Sequence, residues 1–318
     1  MPTEPIADAP AIDRSSGRPA PAPLAAPPSG GRIWLTAIRP RTLSIAVTPV
    51  LLGTALAWAD GSTHHWAALL AALACALLIQ IGTNLHNDVL DFERGTDHAG
   101  RIGPLRVTAA GWVSARSMHR ATALCFGLTV PPGLYLVGQG GWPILLAGLG
   151  SLLAGWAYSG GPRPVSHTAL GELFVLVFFG LVAVVGSHWL QAGATTLAPW
   201  LGGAALGLPA AAVLLVNNYR DLDNDLRSGR RTLVARLGRA GARRAYAAML
   251  LLPYALVLLL AWRAHPGALL ALVGLPVSIR LTRRLRQELS APELNELLAA
   301  TAKAGSILGL LLAVGMLL

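Results

Sequence analysis

The chain has almost no lysine: Lys303 is alone, and the other 24 of its 25 basic residues are arginine. Acidic residues number 15, and charged residues of both signs make up only 13% of the 318. An ordinary soluble domain carries about 25%, so a fully hydrated surface is excluded. Cysteine is nearly absent too. Cys75 and Cys125 both lie inside apolar runs, which argues against a disulfide framework or a thiolate metal site and for small packing residues. The first 30 residues lack an apolar stretch long enough for a signal-peptide core and hold eight prolines among Ala, Ser and Gly. Residues 1–31 are therefore expected to be a disordered tail, and 32–318 the single folded domain.

What is present is hydrophobic: 54% of residues, arranged in repeated apolar runs. Such runs define an all-α, polytopic membrane protein. Nine spans are predicted at about 43–60, 66–88, 118–137, 142–158, 168–189, 198–217, 246–262, 266–281 and 302–318. A pI near 10.9 would ordinarily suggest nucleic acid. Here the arginines fall between spans, as the positive-inside rule expects, and no nucleic-acid role is predicted. Loops after even-numbered spans carry nearly all the arginine and both acidic motifs, whereas those after odd-numbered spans carry only Arg263. The protein is thus expected in the cell inner (plasma) membrane as a multi-pass chain, with a cytoplasmic N-terminus and an external C-terminus.

The acidic residues are concentrated. Asn217-Asn218-Tyr219-Arg220-Asp221-Leu222-Asp223-Asn224-Asp225 holds three of the fifteen. Each Asp at the centre of a membrane helix costs about 2.5–3.5 kcal/mol, so the group belongs at the membrane surface, in a wet cavity or on a cation. At about 100° per residue, Asn217, Asp221 and Asp225 share one helix face and Asp223 points away. A second copy, Asn84-Leu85-His86-Asn87-Asp88-Val89-Leu90-Asp91, places Asn84, Asn87, Asp88 and Asp91 on one face. Amide and carboxylate oxygens on two helices suit a hard divalent cation, and Mg²⁺ binds one or two carboxylates with substrate phosphate completing its shell. A diphosphate held between two acidic helix ends follows. Arg39 and Arg41 at the membrane entry have two readings, phospholipid contact or a substrate role. His188 and the His64-His65 pair are read as interfacial or capping residues.

With Arg39-Pro40-Arg41-Thr42 before the first span and Tyr158-Ser159-Gly160-Gly161-Pro162 after the fourth, the two acidic motifs resemble the UbiA superfamily of intramembrane aromatic prenyltransferases. Asp97, Arg101-Ile102-Gly103-Pro104-Leu105-Arg106 and Gly171-Glu172 are most similar to the branch that acts on 1,4-dihydroxy-2-naphthoate in menaquinone biosynthesis. The resemblance spans about residues 32–318 and implies nine helices around a central lipid-open cavity, in the membrane lipids, with polar loops over a polyprenyl diphosphate. It implies Mg²⁺ on Asn84, Asp88, Asp91, Asn217, Asp221 and Asp225, with Asp88, Asp91, Asp221 and Asp225 catalytic. Substrate contacts are implied from Asn84, Asn87, Arg41, Arg94, Arg101, Tyr158, Arg163, Asn217 and Arg231. The implied reaction joins the prenyl group to an aromatic acceptor, with loss of diphosphate and, for the naphthoate, of CO₂, giving demethylmenaquinone. Rival readings are another acceptor (4-hydroxybenzoate, homogentisate, haem) on the same fold, or a transporter. The transporter requires polar groups in both halves of the spans, and outside the cytoplasmic helix ends only Asp60 is available.

Overall fold

The computed structural model describes residues 29–95 and 106–318, and for Arg41 the backbone alone. Most of the tail assigned to residues 1–31 lies outside this range, and the first helix starts at Gly30, just inside the boundary expected for the tail. All described secondary structure is helical. In order come α1 (Gly30–Ile38), α2 (Pro40–Ala59), α3 (Trp66–Glu93), α4 (Ala115–Leu128) and α5 (Val130–Ser159). After them come α6 (Gly171–Ala192), α7 (Leu197–Arg227), α8 (Leu233–Arg263), α9 (Leu275–Arg284) and α10 (Ala291–Met316). Seven helical segments among the described residues are long and apolar enough to cross a membrane.

One of these seven, Ala115–Ser159, has 45 residues, or about 67 Å of straight helix against a hydrocarbon core of about 30 Å. It does not stay straight. Gly141 (φ 69°, ψ −155°) breaks the helical path in a conformation that residues with a Cβ rarely adopt. The chain doubles back there, because Gly82 and Gly155 both pack against the Phe126 ring; an unbroken helix would separate residues 126 and 155 by about 43 Å. At the other end of the chain, a 3₁₀ stretch, Pro266–Gly274, leads into α9. It starts beside Gly315, and α9 ends with Arg284 Nη2 2.8 Å from Glu296, so the pair of segments runs antiparallel along α10.

Parts of α2, α3, α5, α6, α7 and α10 surround a central cavity, while α8, α9 and the 3₁₀ stretch back α7 and α10 from outside. The backing core is Tyr246, Leu250, Leu215, Val216, Leu285 and Leu297, all nearly inaccessible. At the cavity wall, Leu176–Val182 of α6 widens into π-helix where it crosses α7, and backbone meets backbone at Gly180, Gly203 and Gly207. A Cβ at Gly180 or Gly207 would collide with the facing main chain, and one at Gly203 would be tightly crowded by it. Small residues permit such close crossings between membrane helices. Leu136, Ile144, Leu190, Val50 and Leu69 pack together at the end of the cavity remote from the acidic motifs.

Candidate active site

The ends of α3 and α7 place the two acidic motifs at the polar mouth of one cavity of about 940 Å³. Asn84, Asn87, Asp91, Asn217, Asp221, Asp225 and Tyr158 all line it. From Asp91 the lining continues down α3 to Ala72, about 28 Å at 1.5 Å per residue. Away from the mouth the walls are mainly apolar, with Ile79, Phe174, Phe178, Leu134, Val137 and Leu149 among them.

Carboxylates in such a place need partners, since unpaired buried charge is strongly unfavourable, and arginine supplies them. Arg106 Nη2 lies 2.8 Å from Asp91 Oδ2, and Arg230 reaches both Asp91 Oδ1 (3.4 Å) and Asp225 Oδ1 (3.7 Å), linking the two motifs. Arg220 grips Asp221 with two bonds, Nε–Oδ1 2.8 Å and Nη2–Oδ2 2.6 Å. It also donates to Asn217 Oδ1 (2.9 Å) and to Asn295 Oδ1 (2.6 Å) on α10. Asn84 donates to the Ile38 carbonyl at 2.9 Å and Asn87 to Ser159 Oγ at 2.9 Å, which leaves their amide oxygens for other donors or a cation. Arg39, the residue between α1 and α2, also lines the cavity and holds a left-handed backbone (φ 58°, ψ 67°). A non-glycine residue in that region is strained, a feature common at functional sites.

Four of the expected site residues are placed elsewhere. Asp88 does not face the cavity. Its carboxylate, 1% exposed, accepts the backbone N–H groups of Val107 (3.1 Å) and Thr108 (2.9 Å), anchoring the segment that carries Arg106. Arg94 turns the other way and donates to the carbonyls of Ser159 and Gly161, tying α3 to the turn after α5. Arg163 and Arg231 are exposed and do not line the cavity; the backbone N–H of Arg231 donates to the His167 carbonyl at 2.9 Å. Arg101 and the Arg41 side chain lie outside the described residues. Asp223 is on the opposite face of α7, 77% exposed, and pairs with Arg239 at 3.1 Å. His188 is not interfacial, but its Nδ1 lies 3.2 Å from the Ala194 carbonyl just past the end of α6, in keeping with the capping alternative. It is buried at 1% exposure beside Asp60, remote from the acidic motifs.

Sequence reasoning missed Arg106, Arg220 and Arg230 as the partners of the carboxylates, and Asn218, Asn295 and Ser166 as lining residues. A signal existed for Arg220, inside the motif itself. None existed for Asn295, which is 75 residues from Arg220 and meets it only because α10 packs on α7. His167, in the turn between α5 and α6, is held neutral. Burial, reinforced by the nearby cations of Arg230 and Arg94, lowers its pKa to about 4.

Amide and carboxylate oxygens at the mouth fit a hard divalent cation by chemistry. Among the described residues no three acidic, histidine or cysteine side chains sit close enough to share an ion as they stand, because Arg230 lies between Asp91 and Asp225. A basic and acidic head above a long apolar chamber defines a membrane-embedded enzyme for a substrate with a charged head and a hydrocarbon tail. The family is specific: residues 46–304 match the UbiA prenyltransferase family, and the chain belongs to it. It is 37% identical to the 1,4-dihydroxy-2-naphthoate octaprenyltransferase of Escherichia coli (strain K12), over 90% of this chain and 95% of that one. Its fold is similar to that of a UbiA homolog from Aeropyrum pernix K1, with a TM-score of 0.63 at 19% identity, covering 85% of this chain and 98% of that chain. It is also similar to a UbiA homolog from Archaeoglobus fulgidus bound to DMAPP and Mg²⁺, with a TM-score of 0.60 at 16% identity, covering 86% and 97%.

Proposed function

We propose that this membrane enzyme transfers a polyprenyl group from polyprenyl diphosphate to 1,4-dihydroxy-2-naphthoate, with loss of CO₂ and diphosphate. The observation that carries the reading is a cavity with paired carboxylates and arginines at its mouth and mainly apolar walls along the rest of its length, about 28 Å in all from Asp91 to Ala72. Its likeness to the naphthoate octaprenyltransferase over nine tenths of the chain selects the acceptor.

Asn84, Asp91, Asn217, Asp221 and Asp225 would hold Mg²⁺ here, and Asp88 supports the loop instead. When bound, Mg²⁺ neutralises the diphosphate and makes it a better leaving group. Arg106, Arg220 and Arg230 offer planar, multiply donating groups beside those carboxylates, suited to phosphate oxygens. The apolar walls receive the prenyl tail and exclude the water that would otherwise capture the allylic carbon. As the allylic C–O bond breaks, its electron pair leaves with the diphosphate, and the ring carbon bearing the carboxylate bonds to the allylic carbon. The electrons of the C–CO₂ bond return to the ring as CO₂ departs. Aromaticity is restored with no proton to remove from that carbon, and the product is demethylmenaquinone in its quinol form.

Two further features belong to this reading. The chain crosses the membrane nine times, supported by the reversal at Gly141 and by the run of Pro266–Arg284 along α10. The polar mouth faces the cytoplasm, supported by the arginine-rich segments on that side.

Carboxyl-labelled 1,4-dihydroxy-2-naphthoate tests the reaction. Purified protein should release one labelled CO₂ per prenylated product, and only with Mg²⁺ and prenyl diphosphate together. Release without prenyl diphosphate, or prenylated 4-hydroxybenzoate with no naphthoate product, would refute it.

A further inference from the structure

Gly171-Glu172 opens α6, and nothing in the diphosphate chemistry uses it. Glu172 is 2% exposed, and one of its oxygens, Oε2, has no hydrogen-bond partner. The other, Oε1, accepts from Asn218 Nδ2 at 2.9 Å. Burying a carboxyl group with one oxygen unsatisfied is costly, and a leucine would fill the same space without that cost. The Glu172–Asn218 contact does something that apolar packing cannot: it sets the orientation of an amide. Glu172 Oε1 accepts in this contact, so the amide presents Nδ2 to Glu172. Oδ1 is then turned away from Glu172.

Asn218 lines the cavity, and no described residue donates a hydrogen bond to its Oδ1. On α7, Asp221 and Asp225 lie about 4.5 and 10 Å further toward the mouth. In the other direction the same cavity is walled by Leu214, Phe174 and Phe178, with the two phenyl centroids 4.8 Å apart. Asn218 thus stands at the junction of the charged head and the apolar chamber, where an aromatic acceptor must meet the first carbon of the prenyl chain. Apolar and aromatic walls beside one hydrogen-bond acceptor match a ring that carries a hydroxyl group.

We propose that Asn218 Oδ1 accepts a hydrogen bond from a hydroxyl of the aromatic acceptor, and that Glu172 is the positioning residue that keeps the amide oxygen pointing at it. A hydroxyl that donates leaves more electron density on its oxygen and in the ring, which favours attack on the allylic carbon. An amide presented the other way round would donate to that oxygen and withdraw density. The inference rests on the acceptor reading given above.

The test compares 1,4-dihydroxy-2-naphthoate with its two mono-hydroxy analogues, each lacking one hydroxyl. Affinities are measured by direct titration of the protein in detergent and by acceptor KM with Mg²⁺ and prenyl diphosphate. In the wild type, one analogue should bind about tenfold more weakly than the parent, about 1.4 kcal/mol. Glu172→Gln keeps the shape but lets the amide pair rotate. In this variant the parent should weaken about tenfold and the same analogue no further, while the prenyl diphosphate KM stays within about twofold. An unchanged parent affinity, a hydroxyl penalty that persists in full, or an equal rise in both KM values would overturn the proposal. Should Glu172→Gln fail to fold, Asn218→Ser withdraws the oxygen from the cavity, can still donate to Glu172, and must show the same coupling. A wild type that neither binds nor prenylates the naphthoate refutes the acceptor reading and this inference with it; a wild type that does, without the coupling, refutes only the role of Glu172 and Asn218.

Discussion

Asp88→Asn separates a loop anchor from a metal ligand at one atom. The wild-type carboxylate receives two backbone N–H groups, from Val107 at 3.1 Å and Thr108 at 2.9 Å, in a site 1% exposed. Asparagine offers one accepting oxygen and turns an NH₂ group toward the second amide. A buried donor left without an acceptor costs about 1–3 kcal/mol. At about 2 kcal/mol the local opening equilibrium of this segment rises about 30-fold. Hydrogen exchange read by mass spectrometry, on a peptide covering residues 106–114, should show that loss of protection. Because Arg106 pairs with Asp91 and immediately precedes Val107, turnover should fall and the prenyl diphosphate KM should rise. The Mg²⁺ concentration for half-maximal activity should stay at its wild-type value, whereas Asp91→Asn should raise it. Normal exchange in Asp88→Asn combined with a raised Mg²⁺ requirement would refute the anchoring role and return Asp88 to the ligand set.

Asp225→Ala should reduce turnover about a hundredfold or more, while Asp223→Ala, which loses only an exposed pair with Arg239, should remain near wild type and within about 1 kcal/mol in stability; comparable losses in radiolabel transfer would contradict the helix-face assignment. His167 has its pKa lowered from 6.5 to about 4, chiefly by burial. Its ring is therefore neutral in the folded state and protonates more readily when unfolded, so its contribution is complete above about pH 6.5 and is lost as pH falls toward about 4. Melting curves across that window should show His167→Gln losing less stability on acidification than the wild type, and equal losses would count against it. A reporter fused after Leu318 should read as external and one inserted after Gly229 as cytoplasmic; the reverse pattern would show that the orientation is inverted, and both reporters on one side that a crossing between them has been miscounted.

Much of this protein is legible in its sequence because membrane burial imposes a one-dimensional code. Long apolar runs become helices wherever water is absent, since each backbone group must then be satisfied within its own segment. The helical period alone puts Asn217, Asp221 and Asp225 on one face and Asp223 on the other, and both placements appear in the structure. Gly141 is a different matter, since the reversal there depends on which helices pack around Phe126.

The charge partners could not be read locally. Asp88 obeys the same periodicity as Asn84 and Asp91, yet its carboxylate is claimed by amides about twenty residues later, in a loop whose path no periodicity encodes. Arg94 and Arg231 look like phosphate ligands by type and position, but Arg94 is used by the carbonyls of a turn and Arg231 is left in solvent. Arg230 stands next to Arg231 in the chain and alone of the two lines the cavity and joins the two motifs. Composition and spacing thus determined a helical membrane enzyme with two acidic helix ends. Only tertiary packing decided which arginine meets which carboxylate, because ion pairing depends on distance in space, and a neighbour in sequence can face the opposite way.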